Sequence, residues 1–225
     1  MHTLTLSGWT QPSDALARHL PGAEVFDYSD YPDAQASFTG LADFAQVPHV
    51  VAWSMGGQLA LLAILAGILK PRRLTLIAAP YQFVADAKVK EAMDPVTFAQ
   101  FRANYAQHPT RSKTRFHALI AKGDKHHARV MAALGHHPAI EHTPRWLPWL
   151  DALGRASLHG SDFSALPPTL LIHGENDAIV PCAQSNYLAN ALPHARLELW
   201  PGAGHAPHLH DPVTFHERIH THHVY

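Results

Sequence analysis

The chain has 225 residues, of which 47% are hydrophobic and only 16% charged, enough for one ordinary domain with a real core. That composition excludes a disordered or fibrous chain, and 17 basic against 18 acidic residues give no overall signal for nucleic acid or a membrane surface. A single cysteine, Cys182, excludes an intrachain disulfide and a cysteine-rich zinc site.

Short β-type runs alternate with helical patterns along the chain. Strands are predicted at His2–Leu6, Glu24–Asp27, His49–Trp53 and Leu74–Ala78, separated by helical segments over Ser13–Leu20, Ala34–Ala45 and Met55–Leu69. From 81 to 166 the strand signal disappears. Helical periodicity covers Val96–Tyr105, Lys113–Lys122 and His126–Leu134, and Pro138, Pro144 and Pro148 cut the far end. The alternation resumes with strands at Thr169–His173 and Arg196–Trp200 and helices at Cys182–Ala191 and Pro212–His222. This order predicts an α/β fold, a mostly parallel sheet of about six strands flanked by helices. Residues 1–80 and 167–225 form its core, and 81–166 form an all-helical lid inserted between two strands. The longest apolar run, 59–69, is 11 residues, about half of a membrane span. The N-terminus lacks the pattern of a signal peptide, so the expected location is the cytoplasm.

Charge is unevenly distributed. Between Lys88 and Arg129 nine basic residues stand against three acids, Glu91, Asp94 and Asp124. Such segregation suits either a solvated helical face or the docking of an acidic partner. Twenty histidines are several times ordinary usage, with pairs at His126-His127, His136-His137 and His222-His223. Their spacing carries no metal-binding motif, and His216 with His220 is the best pair; no metal site is assigned.

The chemistry concentrates in three places. Val50-Val51-Ala52-Trp53-Ser54-Met55-Gly56-Gly57 runs from an apolar strand into an apolar helix, the small-x-Ser-x-Gly pattern of a nucleophile elbow. Ala52 stands where the first glycine usually does. The helix beginning at Met55 offers a backbone N–H and a positive dipole end to a developing oxyanion. A serine needs a base, and abundance cannot choose among twenty histidines. Position does: His205, on a flexible glycine-flanked loop after the last strand, is preferred over His49, His117 and His142. Asp177, in the turn after the strand ending at His173, is preferred over Glu175 as the carboxylate. The order Ser, Asp, His is that of α/β-hydrolases, and strand ends of a parallel sheet converge on one edge. The loop Ser7-Gly8-Trp9 supplies a second oxyanion donor, the N–H of Trp9, beside that of Met55.

The segments Ser7-Gly8-Trp9, Trp53-Ser54-Met55-Gly56-Gly57, His173-Gly174-x-x-Asp177-x-x-Val180-Pro181 and Gly204-His205-Ala206-Pro207 resemble the α/β-hydrolase superfamily. With His210-Asp211-Pro212-x-x-Phe215 they are most similar to the biotin-pathway esterases that cleave the methyl ester of pimeloyl-acyl-carrier protein. The resemblance implies a serine esterase with Ser54, His205 and Asp177 as its triad and with no metal or organic cofactor. It implies an acyl carrier protein as partner, no nucleic acid or membrane, and a monomer. Arg111 and Arg115, four apart on one helix face, carry over as carrier-protein contacts, with Lys125 and Arg129 as a second pair. Trp9 and Phe116 carry over to the substrate pocket. The family's N-terminal hairpin has no counterpart here, since the chain starts at what is usually the third strand. A general short-chain carboxylesterase or thioesterase shares the same triad, and a histidine-rich metal binder that has lost catalysis is the third reading.

Overall fold

The computed structural model describes residues 2–135 and 146–221. His136, His137, His142, His222, His223, Pro138 and Pro144 lie outside the described residues.

Six strands form one sheet: β1 (Thr3–Leu6), β2 (Glu24–Val25), β3 (His49–Trp53), β4 (Arg73–Ile77), β5 (Thr169–Gly174) and β6 (Ala195–Trp200). Their order is β2-β1-β3-β4-β5-β6, and every pairing among them is parallel. β1, β3 and β5 are buried along their whole length, as strands covered on both faces should be, even though β1 alternates threonine with leucine. The α/β architecture read from the sequence is the one found. β2 stops at Val25, two residues short of expectation, although Phe26 N–H still donates to Thr5 O at 3.1 Å.

The core helices are α1 (Ala34–Leu41) and α2 (Met55–Leu65). α7 (Ala183–Ala191) crosses between β5 and β6, and α8 (Pro207–His210) and α9 (Pro212–Thr221) follow β6. α2 is apolar on nearly all sides and is buried in the centre of the molecule. It ends four residues before Leu69. Gly67 takes a left-handed φ of 72°, Ile68 N–H returns to Ala63 O and Gly67 N–H to Ile64 O, a glycine-terminated cap. The expected helix over Ser13–Leu20 reduces to one 3-10 turn, Ala17–His19. Pro21 stops any continuation of this stretch, and its bonds run mainly three residues back, the 3-10 spacing.

Among the described residues between β4 and β5 lie four helices, α3 (Pro95–Gln107), α4 (Pro109–Ile120), α5 (His127–Gly135) and α6 (Trp146–Arg155). α6 was not expected, because Pro148 suggested a break. Pro148 is the third residue of the helix, where the backbone N–H has no intrahelical acceptor and proline costs nothing. Gln82 and Ser157 pair across the two ends of this segment, and Leu158 N–H donates to Tyr81 O. Above the sheet, Trp9 packs at 4.8 Å from Tyr105 and 5.0 Å from Phe116, which joins α3 and α4 to the loop after β1.

Gly56 marks a close junction of helix and strand. A β-carbon there would lie 2.4 Å from Leu6 O and 2.6 Å from Ser7 O, so α2 starts against the backbone at the end of β1. Gly56→Ala should therefore lower unfolding stability by about 1–3 kcal/mol, as overpacking does. A urea midpoint equal to that of the parent protein would contradict this packing.

Candidate active site

Ser54 stands between β3 and α2 with φ 56° and ψ −120°, a backbone conformation that a non-glycine residue adopts only when its surroundings impose it. Here Ser54 N–H donates to Ile77 O on β4, Gly57 N–H returns to Ser54 O, and Gly56 packs on β1. The result is a hydroxyl held at the strand-to-helix corner. Ala52 sits fully buried in β3, paired with Leu6 and Leu76.

His205 Nε2 lies 2.9 Å from Ser54 Oγ, and His205 Nδ1 lies 2.7 Å from Asp177 Oδ2. The three side chains are 151 and 28 residues apart in sequence and meet at the carboxyl ends of β3, β5 and β6. The carboxylate of Asp177 has no exposed surface. Its Oδ1 accepts the N–H groups of Ile179 and Val180 at 2.8 and 2.9 Å. Oδ2 accepts from His205 and, at 3.1 Å, from His173 Nε2. Burial opposes ionisation of this carboxyl, but the charge of His205 and the hydrogen bonds from His173 and His205 outweigh it and hold the pKa well below the ordinary carboxylate range. Asp177 thus stays an anion. Glu175, its rival in the sequence, is exposed.

His173 was quoted in the sequence only as part of a motif. Its Nε2 faces two acceptors, Asp177 Oδ2 and Val180 O at 2.9 Å, so this nitrogen carries the proton. Nδ1 is left to accept the hydroxyl of Ser185. A second ring therefore supports the carboxylate from behind.

The loop carrying His205 is not free. His205 N–H donates to Ile120 O at 3.2 Å and the residue is buried. Gly174 allows the close approach of this loop to β5, since a β-carbon there would lie 2.1 Å from Gly204 O. Gly8 likewise packs within 3.5 Å of Ser54 Cβ, measured from where its own β-carbon would be. The N–H of Met55, first in α2, has no intrahelical acceptor. Trp9 is buried with its indole N–H on Trp146 O at 2.9 Å, and Phe116 is buried beside it. His49 is paired with Thr75 inside the sheet, away from the relay.

Arg111 and Arg115 are exposed on α4. Lys125 is exposed but lies in the turn before α5, so it does not share a helix with Arg129. α5 begins at His127 because the residues before it are spent on a turn capped by Asp124, whose carboxylate takes His126 N–H at 2.7 Å. Arg129 itself reaches His210 O. Among the described residues, no cluster of three or more histidine, cysteine, aspartate or glutamate side chains has metal-binding geometry. No helix among them is long and apolar enough to cross a membrane.

A model of the alpha/beta hydrolase family matches residues 2–218. The chain belongs to that family, and it is a carboxylic ester hydrolase. A pimeloyl-acyl-carrier protein methyl ester esterase of Nitrosomonas europaea is 35% identical over 173 residues, 74% of this chain and 67% of that protein. One of the same name from Xylella fastidiosa (strain 9a5c) is 28% identical over 225 residues, covering 91% and 88% of the two chains. Among solved structures, an esterase from Exiguobacterium antarcticum superposes with a TM-score of 0.83 at 16% identity, over 98% of this chain and 91% of that one. That last likeness speaks for the fold alone.

One buried group beside the relay has no partner. His208, a turn beyond His205, packs edge-on to Trp53 at 4.5 Å and lies 5.9 Å from Phe215. Neither of its ring nitrogens has a hydrogen-bond partner among the described residues. Burial, with repulsion from His19 and His205, pushes its pKa well below the ordinary 6.5. The folded protein then binds this proton more weakly than the unfolded chain, so the stability it contributes is full above about pH 6.5 and is lost as the pH falls. His208→Phe should flatten the acid side of the stability profile by about 1.4 kcal/mol per pH unit. Urea midpoints at about pH 5 and about pH 8 measure it, and an unchanged difference between them would remove His208 from this role.

Proposed function

We propose that this protein is a serine esterase that hydrolyses the methyl ester of pimeloyl-acyl-carrier protein to methanol and the free carboxylate. The observation that carries the chemistry is the continuous contact from Ser54 through His205 to Asp177. Ser54 Oγ attacks the ester carbonyl while His205 Nε2 takes its proton. The oxyanion is held by the N–H groups of Trp9 and Met55, donors worth about 3–4 kcal/mol each in comparable sites. His205 returns the proton to the leaving methoxide, methanol departs, and a water activated by the same ring cleaves the acyl-serine. Asp177, ionised throughout, holds the ring's orientation and balances the imidazolium. No metal or organic cofactor enters these steps.

The carrier-bound substrate rests on two supports. Relatives 31 to 35% identical over most of the chain bear the name of that activity. The segment between β4 and β5, which we take as a lid on the core, exposes Arg111 and Arg115 on α4 and Lys122 and Lys125 in the turn after it. Of the acids on the same segment, Asp124 is buried and Asp151 is occupied by Arg102 at 2.8 Å, while the exposed Asp86, Glu91, Asp94 and Asp162 lie outside α4 and the turn after it. The cationic face of α4 and that turn suits an acidic carrier protein, with Trp9 and Phe116 flanking the acyl chain.

Ser54→Ala should reduce hydrolysis of any ester by about a millionfold while leaving the fold intact. Arg111→Glu with Arg115→Glu should leave p-nitrophenyl butyrate hydrolysis unchanged and lower kcat/KM on the carrier-bound methyl ester by about ten- to a hundredfold. Equal effects on both substrates would point instead to a general short-chain carboxylesterase or thioesterase.

A further inference from the structure

We propose that Asp124 is the positioning residue for His205, acting through the backbone of the loop that carries the imidazole. The inference rests on the serine-hydrolase reading above and extends it to a residue outside the triad. Asp124 belongs to the turn between α4 and α5, 80 residues before Gly204. Its carboxylate has no exposed surface, and a buried charge persists only when its hydrogen bonds are met. They are met by three donors. Gly204 N–H reaches Oδ2 at 2.9 Å, His210 Nδ1–H reaches Oδ1 at 2.8 Å, and His126 N–H reaches Oδ1 at 2.7 Å. The first two flank His205 on either side in sequence, so one carboxylate holds both ends of the segment 204–210.

The same turn makes further bonds to that loop. Lys125 N–H donates to Gly202 O at 2.8 Å, and Ile120 O accepts His205 N–H at 3.2 Å. Gly123 O accepts Asn176 Nδ2–H at 2.9 Å, next to Asp177. The backbone bonds are sequence-independent; of the side chains in this junction, Asp124 is the one that binds the loop carrying His205, and a substitution can remove it. Without it, Gly204 N–H and His210 lose a buried acceptor, and the loop gains freedom at the residue preceding His205. The ring would then spend less time within reach of Ser54 Oγ. A positional error of that kind lowers kcat and leaves ground-state binding alone.

The experiment compares the parent protein with Asp124→Ala and Asp124→Asn on p-nitrophenyl butyrate, with rates expressed per Ser54 titrated by a fluorophosphonate. The alanine variant should show kcat about ten- to a hundredfold lower with KM changed by less than about twofold. The asparagine variant's carboxamide oxygen can still accept Gly204 N–H, but its NH2 then opposes His126 N–H and meets only the other tautomer of His210, so its kcat should lie between those of the alanine variant and the parent. A folded Asp124→Ala protein with parental kcat per titrated serine overturns the inference and leaves the hydrolase reading standing. So does a loss accounted for wholly by fewer titratable sites. Should Asp124→Ala not fold, His210→Ala frees one anchor of the carboxylate and should lower kcat in the same KM-neutral way; parental kcat there also overturns it. A parent protein that neither turns over the ester nor takes the fluorophosphonate overturns the hydrolase reading and this inference together.

Discussion

A carboxylate with no access to water is the constraint on which the site depends. Moving such a charge out of water is costly unless hydrogen bonds replace the lost hydration, and leaving one partner out of a buried pair destabilises by about 3–5 kcal/mol. Asp177 meets the requirement with four donors: two backbone N–H groups of its own turn, His173 from β5 and His205 from the loop after β6. Because the carboxylate can only accept, it dictates which nitrogen of each ring carries a proton. His205 must present Nδ1–H to it, which leaves Nε2 unprotonated and turned toward Ser54. His173 must present Nε2–H, which leaves Nδ1 for the hydroxyl of Ser185. The burial of one anion thus sets the direction of every proton in the row, and the reactivity proposed for Ser54 follows from it.

The sheet explains why these groups meet at all. Parallel pairing brings the carboxyl ends of β3, β5 and β6 to one edge, and each is followed at once by a residue of the relay or by its turn. Parallel order sets the shared edge, and the close approach of its loops still has to be sterically allowed. Gly56 and Gly174 close the distance, since their missing β-carbons let backbone rest on backbone. The strained φ of Ser54 is sustained by the same contacts, with Ser54 N–H tied to β4 and α2 pressed on the end of β1.

Much of this was legible in the sequence because the signals were local. Uninterrupted apolar runs such as Val50-Val51-Ala52-Trp53 announce a strand covered on both faces, and Ser54 follows it directly. Asp177 and His205 could be singled out by their place just after predicted strands. Helix ends were less readable where a cap outweighed the apolar pattern, as Gly67 does for α2. Pro148 misled because its effect depends on whether it falls in the first turn or beyond it. The pairing of Asp124 with His210 spans 86 residues and leaves no periodic trace. In the sequence Asp124 was only one of three acids diluting a basic segment. His173 was visible as a motif letter, while its tautomer and its tie to Ser185 depend on tertiary contacts that no spacing encodes.

The helical segment between β4 and β5 is consequently more than a cover. Within α4 and the turn after it, the acid Asp124 is spent inward on the loop of His205, and Arg111 and Arg115 stay exposed at the surface. The docking charge and the positioning role proposed above would thus share one arrangement of α4 and the turn after it. Trp9 ties the remaining side of the segment to the loop beside Ser54, through its rings against Tyr105 and Phe116 and its indole N–H on Trp146. Lifting the α4–α5 turn as a flap would break the bonds to Gly202, Gly204 and His205 and release the base from the serine. The carrier-protein surface proposed on α4 would on these grounds be mechanically continuous with the imidazole, with the segment closed at this turn while the relay is aligned.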